Sequence, residues 1–470
     1  MPIQTGQSRM RSDGGSGGLA PSTTAATPLS EARLTAALDR MIDTLGQPLT
    51  GLVRLTGGAN MESWSFDLGG NGYVLRRSPA PEMMEGRPFG HDVEAQIVRV
   101  AHAHRVLAPE VMGNLGLEDG LGTGYVMRRV EAEVNPAKIL AAPPPSLIDD
   151  IARELAKIHA IAPAALPALP TLDIPTALSE LADRFQAYGG DRPIIALALR
   201  WCRDHLPTPA DPVLVHGDFR IGNLMVDADG LAAVLDWELA HLGDHHEDLA
   251  WGCANVWRFG HIDQPAFGCS DLETFFAAYE AASGTTVDRD RFRFWLIYRT
   301  LWWALGCLHM GEIWRNGTDT SLERVVIARR TSENEVDLLM LLEEDAPEAE
   351  RQPIRLESAP PPRRHGEPST IEMLEAIADW IETDVKPGAQ GRDKFMAAVA
   401  LNALGMLRRD QARPVDVHDR ELADDILAGR QTLRTPGLLT RLRRQAFAKL
   451  SNDVPKYSAL AKARQLWGVT

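Results

Sequence analysis

The chain has 470 residues, of which 44% are hydrophobic and 24% are charged. This length exceeds what one compact core usually organises and predicts two or three domains. The ordinary composition excludes collagen-like, wholly disordered and coiled-coil proteins. With 49 Lys and Arg against 64 Asp and Glu, the net charge is −15, which argues against nucleic acid or an anionic membrane as the main partner.

The cysteines suggest a reducing compartment. They are widely spaced and form no CxxC pair, so they predict neither a disulfide framework nor a thiolate zinc site. The four positions are Cys202, Cys253, Cys269 and Cys307. The first thirty residues lack the apolar segment of a signal peptide. We therefore expect a cytoplasmic protein.

One apolar stretch, residues 294–310, is nearly long enough to cross a bilayer. Arg299 lies in its middle, and Arg291 and Arg293 precede it. Charges at these positions are costly inside a membrane. The stretch is therefore predicted to be a buried helix, and no membrane partner is expected.

The N-terminal third predicts a small sheet. Residues 1–28 are rich in Gly, Ser, Thr and Pro and are predicted to be a disordered tail, and Ser30 is a suitable N-cap for a first helix. Five strands are then predicted near residues 52–55, 63–68, 73–77, 110–112 and 124–130, with one helix after the third strand. This order indicates a sheet with a helix packed on it rather than a doubly wound fold.

The rest of the chain is predicted to be mostly helical, interrupted by a strand–loop–strand–turn–strand insert at residues 213–237. Residues 352–470 hold 19 Lys and Arg against 15 Asp and Glu, so this part is about +4 and the preceding part about −19. The change of sign supports a boundary near the charged, Pro-rich stretch that precedes the last helices. The predicted domains are residues 29–130, 131–345 and 369–470, with a linker at 346–368.

Three polar residues of the insert are predicted to meet at one edge of a hairpin. Asp218 follows the first strand, Asn223 opens the second, and Asp236 ends the third. Phosphoryl transfer from ATP requires a carboxylate that orients the acceptor proton, and oxygen ligands that hold Mg²⁺ on the phosphates. Asp218 is accordingly the candidate base, with Asn223 and Asp236 as the candidate magnesium ligands. Any one of them alone would be explained as a turn cap or a strand end.

The motif HGDxxxxN followed by DWE resembles the catalytic and metal motifs of the aminoglycoside phosphotransferase-like kinases, and GDxxxDLAW continues the likeness. The resemblance covers residues 50–340 and is closest to the branch found fused to acyl-CoA dehydrogenases. It implies an α+β, bilobal protein-kinase-like fold, with a small five-stranded antiparallel N-lobe carrying one helix and a mostly helical C-lobe. The last hundred residues resemble a helical domain of unknown function, so a C-terminal all-α domain is expected.

The resemblance also assigns the nucleotide side of the site. Gly57 and Gly58 would form the loop that covers the phosphates. The cation for the phosphates would come from the strand YVLRR, where this chain has Arg in place of the usual Lys. Strand alternation favours Arg76 over Arg77, because Val74 then faces the cleft as a compact ceiling for adenine.

Five further residues receive supporting roles from the likeness. Glu94, in the first turn of the helix, would pair with the phosphate-binding Arg. Met127 and Val130 would bound the segment that links the lobes and offers backbone groups to adenine. His216 is expected to organise the catalytic loop, and Asp248 to brace it from a helix N-terminus.

The acceptor is expected to be a small molecule with a hydroxyl group. By resemblance, a hydroxyacyl thioester or related metabolite ranks above an aminoglycoside. Aromatic residues between 255 and 320 are candidates for the acceptor side, although they can equally be helix core. A homodimer through the C-terminal helices is a further possibility.

Two alternatives use the same stretch of the chain. His241, Asp244, His245, His246 and Asp248 could ligate a metal for a hydrolase, although adjacent His245 and His246 would not both point inward from a regular element. A nucleotide-binding pseudokinase scaffold is the second alternative. It is favoured by the missing Lys and disfavoured by the complete set of catalytic oxygens.

Overall fold

The computed structural model describes residues 29–42, 47–55, 61–80, 84, 87–356 and 366–469. The predicted N-terminal tail and the pair Gly57 and Gly58 lie outside the described residues. The chain divides into two compact units. The first consists of Met1–Leu172, Asp211–Asp248 and Ala281–Gly284, and the second of Asp173–Ala210, Leu249–Glu280 and Thr285–Thr470.

A five-stranded antiparallel sheet opens the first unit, as the sequence predicts, with strand order β1-β2-β3-β5-β4. Its strands are β1 Leu49–Arg54, β2 Glu62–Leu68, β3 Asn71–Ser78, β4 Val111–Asn114 and β5 Thr123–Arg128. Helix α1, Glu31–Met41, precedes the sheet, and Ser30 caps it by accepting a hydrogen bond from the backbone N–H of Arg33. Helix α2, His91–Ala103, lies between β3 and β4.

Helices α1 and α2 contact different side chains of β3. Leu34 and Leu38 of α1 pack in one apolar core with Leu75 and with Phe66 of β2. Side chains alternate along a strand, so Arg76 points to the other face, where it meets Glu94 of α2. The alternation therefore decides which β3 cation lies beside α2.

Two small sheets, two helices and the start of a third helix make up most of the rest of the first unit. Helices α3, Pro136–Ala141, and α4, Leu147–His159, follow the five-stranded sheet. The predicted insert forms β6, Val213–Val215, and the hairpin of β7, Leu224–Asp227, with β8, Gly230–Val234. A strand that the sequence did not predict, β9 at His241–Gly243, pairs antiparallel with β6. Helix α7, His246–Trp251, begins three residues later.

The second unit is built mainly of helices. They are α5 Ile174–Ala187, α6 Pro193–Asp204, α8 Leu272–Ser283, α9 Arg289–Arg315, α10 Leu322–Arg329, α11 Thr331–Leu342, α12 Thr370–Trp380, α13 Gly391–Ala412, α14 Arg420–Leu427, α15 Leu438–Asp453 and α16 Ser458–Leu466. The apolar stretch 294–310 lies within α9. Among the described helices, none combines the length and the apolar character needed to span a bilayer.

Buried polar contacts join the C-terminal helices to the rest of the second unit. Arg443 of α15 donates to Glu343 at 2.7 Å, and the indole N–H of Trp467 donates to the same carboxylate at 2.8 Å. Ile354, inside the predicted linker, is fully buried and donates its backbone N–H to the Trp467 carbonyl. The domain boundaries drawn from composition stay predictions.

Candidate active site

The segment between β6 and β7 holds the candidate base in a fixed orientation. Arg220 donates through Nε to Asp218 Oδ1 at 2.9 Å, and Asn223 donates through Nδ2 to Asp218 Oδ2 at 2.6 Å. The same amide nitrogen also reaches the Asp218 backbone carbonyl at 2.9 Å. Because the amide nitrogen faces Asp218, the Asn223 amide oxygen is turned away from that carboxylate.

Asp236 is brought to the same end of the hairpin by strand pairing. Leu224 of β7 faces Val234 of β8, and the Leu235 N–H donates to the Asn223 carbonyl at 2.8 Å. Asp236 follows immediately and has φ +67°. A left-handed backbone is uncommon for residues other than Gly, although Asp tolerates it better than most. Such conformations are concentrated at functional sites.

Arg76 joins the sheet, helix α2 and the hairpin within the first unit. Its Nε lies 3.2 Å from Glu94 Oε1, and its Nη2 donates to Asp236 Oδ1 at 2.6 Å and to Glu238 Oε2 at 2.7 Å. Arg77 instead pairs with Glu62 at 2.6 Å on the other face of β3. The structure thus brings Arg76, Glu94 and Asp236 together.

Burial sets the protonation tendencies of this group. It raises the pKa of Glu94 to about 7, against the opposing effect of Arg76. Burial would lower the pKa of Arg76, but Glu94 and Asp236 hold it well above its usual range. Burial also lowers the pKa of His91, at the start of α2, to about 4, helped by Arg76 and Arg87. His91 is therefore neutral at pH 7, whereas Arg76 stays charged.

A fully buried carboxylate braces the loop between β6 and β7, which carries the candidate base. Asp248 accepts hydrogen bonds from the backbone N–H groups of His216 and Gly217 at 2.7 and 2.9 Å, and from His159 Nε2 at 3.3 Å. Burial by itself would raise the pKa of Asp248, but the contacts with His159 and His216 bring it below its ordinary value. Asp248 therefore remains an anion that holds the loop backbone.

The His216 ring links the loop to the hairpin. Its Nδ1 accepts from the Asp218 N–H at 3.2 Å, so its Nε2 carries the proton that is donated to the Leu235 carbonyl at 3.1 Å. Burial lowers the pKa of His216, which favours this neutral form. Gly217 has φ +79°, and a Cβ there would lie 2.4 Å from the Leu239 carbonyl oxygen. The loop therefore requires Gly at this position.

The alternative metal cluster holds together only in part. Among the described residues, Asp244, His245 and His246 can bring one ligand atom each within 4.8 Å of one another, so these three could hold a metal ion. The other two members are engaged elsewhere, since His241 pairs with Glu247 at 3.0 Å and Asp248 accepts a hydrogen bond from the loop between β6 and β7. Asp244 Oδ1 lies 2.9 Å from His246 Nδ1 and 3.8 Å from His245 Nδ1. The rings of the adjacent His245 and His246 have centroids 4.1 Å apart. His245 lies in the turn before α7, so the two residues do not share a regular element and the argument from periodicity does not apply to them.

The part of the chain that holds this site matches a known protein family. The model of the family described as APH, phosphotransferase enzyme family, matches residues 51–295, which is just over half of the chain. The chain belongs to the APH phosphotransferase family. The resemblance found in the HGDxxxxN and DWE motifs is thereby confirmed.

Two curated relatives carry the names of acyl-CoA dehydrogenases. Acyl-CoA dehydrogenase family member 10 of Mus musculus is 34% identical over 98 residues, which cover 18% of this chain and 9% of that protein. Probable acyl-CoA dehydrogenase IBR3 of Arabidopsis thaliana is 25% identical over 294 residues, which cover 52% of this chain and 35% of that protein. The chain thus spans about a tenth of the length of the first relative and about a third of the length of the second.

A solved structure supports the fold. A Ralstonia eutropha protein that carries the provisional name aminoglycoside phosphotransferase aligns with a TM-score of 0.54 and 20% identity, covering 66% of this chain and 98% of that one. At 20% identity, the match supports the fold but not a function. The predicted α+β, kinase-like fold is confirmed.

The remaining predicted site residues are located as follows. Met127 lies in β5 opposite Val74, and Val130 follows two residues after the strand ends; both are half-buried. Gly57 and Gly58 lie outside the described residues. The roles assigned to all four in the APH phosphotransferase family pattern stay predictions.

Sequence reasoning missed four residues of this site. Arg87 Nη1 lies 2.5 Å from Glu238 Oε2, and the same carboxylate oxygen also contacts Arg76. Arg220 holds Asp218, and His159 holds Asp248. Glu238 and Arg220 lie inside the motif stretch that identified the family, so their position was a usable signal. Arg87 and His159 are remote in sequence and carry no such signal.

Proposed function

We propose that this APH-family protein transfers the γ-phosphoryl group of ATP to a hydroxyl of a small molecule, with Mg²⁺ as cofactor. The observation that carries the proposal is the convergence of Asp218, Asn223 and Asp236 at one end of the β7–β8 hairpin, with Arg76 bound to Asp236. Turn capping alone does not explain why a buried cation from β3 meets this hairpin.

The donor set fits a hard divalent cation. Mg²⁺ prefers carboxylate, amide and water oxygens. Asn223 would offer its amide oxygen, because its nitrogen is occupied by Asp218. Asp236 uses Oδ1 for Arg76, and a carboxylate has a second oxygen that can bind a cation. The bound ion would neutralise charge on the phosphates.

The residues of the chain would then divide the remaining work. Asp218 would accept the proton of the acceptor hydroxyl, while Arg220 and Asn223 hold its carboxylate in one orientation. Arg76 would bind phosphate oxygens, and Glu94 would keep its guanidinium in place. His216 and Asp248 would keep the loop backbone rigid and make no contact with the reacting atoms.

For the acceptor, we rank a hydroxyacyl thioester or related metabolite above an aminoglycoside. The ranking is supported by the names of the two curated relatives, each of which is much longer than this chain. The net charge of −15 is compatible with a polycationic sugar as well, which keeps aminoglycosides in second place. A cytoplasmic location, where ATP is available, is part of the proposal.

The test is an acceptor screen with a matched pair of variants. Purified protein with Mg²⁺ and ATP is incubated with hydroxylated acyl-CoAs, amino-sugars and choline-like alcohols. ATP consumption is measured together with the mass of the product. Asp218→Asn is expected to lower turnover by about 10²- to 10⁴-fold, as for loss of a general base. Asp229→Asn makes the same change in the exposed turn of the same hairpin and is expected to leave turnover unchanged.

Three outcomes would contradict the proposal. Near-full turnover by Asp218→Asn would remove the assigned base. Tight ATP binding without product from any acceptor would favour a pseudokinase scaffold. Stoichiometric zinc retained through desalting, with hydrolysis in the absence of ATP, would favour a metal-dependent hydrolase.

A further inference from the structure

Helix α12 exposes an apolar stripe. Met373, Ile377 and Trp380 follow one another at intervals of four and three residues, so they lie on one face of the helix. All three are exposed, and 58% of Trp380 is accessible to solvent. No residue of α12 is fully buried. Exposed large apolar side chains that cluster on one helix face usually mark an interaction surface.

Helix α13, which packs against α12, exposes one large ring beside small side chains. Phe395 is 53% accessible, and the next exposed positions on its side of the helix are Ala398 and Asn402. These small side chains leave room beside Phe395 for a large ring such as that of Trp380. One hairpin therefore carries both a projecting apolar stripe and a surface that can receive one.

The charges around the two surfaces are opposite. Residues 370–385 hold five acidic side chains and no basic one, and Lys386 just beyond them pairs with Glu382. Arg392 and Lys394 stand on either side of Asp393 just before Phe395, and Arg392 also pairs with Glu323 of α10. Inside the hairpin the same match already operates, because Arg408 of α13 pairs with Glu375 of α12 at 3.3 Å. A surface with acidic edges and one with basic edges attract each other.

We propose that the partner of this surface is a second copy of the chain. In a two-fold dimer, the α12 stripe of each protomer would pack on the first half of α13 of the other, so each apolar and charged contact occurs twice. A specific interface should bury about 1,000 Å² or more in total, and the exposed side chains of Met373, Ile377, Trp380 and Phe395 would form its apolar centre. This inference does not depend on the phosphotransferase activity.

Sedimentation equilibrium of the full chain from about 1 to 100 μM is the first test. The wild type is expected to reach twice the monomer mass of 51.5 kDa. Trp380→Glu is expected to remain a monomer over the same range. Leu466→Glu, at a 54% accessible Leu of α16 outside the stripe, is the matched control and should dimerise like the wild type. Circular dichroism melting checks that each variant is folded.

A charge exchange separates this pairing from any other dimer. Asp379→Lys with Asp384→Lys places basic groups on both helices, and Arg392→Glu with Lys394→Glu places acidic groups on both. Each double variant alone is expected to be a monomer. An equimolar mixture is expected to form a heterodimer, because both of its contacts regain opposite charges.

A wild type that stays monomeric at 100 μM would overturn the proposal, and a different protein or another segment of the chain would then have to cover the stripe. A dimer that persists in Trp380→Glu, or double variants that fail to associate when mixed, would also overturn it, because the interface would then lie elsewhere.

Discussion

Replacing Arg76 by Lys, the residue usual at this position in kinases, is predicted to weaken the site rather than improve it. The guanidinium uses two nitrogens at once, with Nε beside Glu94 and Nη2 shared by Asp236 and Glu238. The single ammonium nitrogen of Lys can replace the Nη2 contacts but cannot also reach Glu94.

The magnitude follows from the lost contact with Glu94. This carboxyl is 98% covered, and its pKa is already raised to about 7 by burial. Without the direct contact that opposes the effect of burial, Glu94 would take up a proton at neutral pH. Losing one charged contact of this kind costs about 1.5–3 kcal/mol. If the same contact holds the cation against the phosphates, nucleotide affinity falls by about 10- to 100-fold.

The assay is isothermal titration with Mg²⁺ and AMP-PNP, alongside denaturant unfolding. Arg77→Lys is the control, since Arg77 is also buried, more fully than Arg76, but pairs with Glu62 on the other face of β3. It is expected to lose stability and to keep its nucleotide affinity. Unchanged affinity in Arg76→Lys, or an equal loss in both variants, would refute the reasoning.

Two further predictions concern stability. Asp248→Asn replaces one acceptor oxygen by a donor that faces the buried N–H groups of His216 and Gly217. The free energy of unfolding, measured with denaturant, should therefore fall by about 2–4 kcal/mol. A change below about 0.5 kcal/mol would contradict the bracing role. Burial raises the pKa of Asp337, a buried residue of α11, to about 7, so the folded state holds a proton that the unfolded state loses near pH 4. Stability should therefore fall as the pH rises from about 4 to 7, and Asp337→Asn should flatten this part of the melting-temperature profile; an unchanged slope would show that other groups cause it.

Local pattern was enough to predict the sheet and the hairpin that carries the candidate site residues. Period-two alternation separated Arg76 from Arg77, and the structure has them on opposite faces of β3. The spacing from Asp218 to Asn223, followed by a turn and a strand, predicted a hairpin. Its pairing brings the start of β7 next to the end of β8. These features depend on residues close in sequence, where backbone geometry limits the choices.

Contacts between distant segments could not be read in this way. His159 reaches Asp248 across 89 residues, and Arg87 reaches Glu238 across 151. Neither pair leaves a periodic signal, because an ion pair depends on the packing of whole elements. Strand β9 was missed for a similar reason: three residues are too few for an alternating pattern, and its pairing with β6 is tertiary.

The most direct test of the central claim is the magnesium dependence of AMP-PNP binding, compared between the wild type and Asp236→Asn. The wild type should bind the nucleotide at least about tenfold more tightly with Mg²⁺ than with EDTA. Asp236→Asn should lose this gain while it still binds nucleotide weakly without the ion. If the gain from Mg²⁺ is the same in both proteins, Asp236 does not hold the ion, and the assignment of this hairpin as a phosphoryl-transfer site is contradicted.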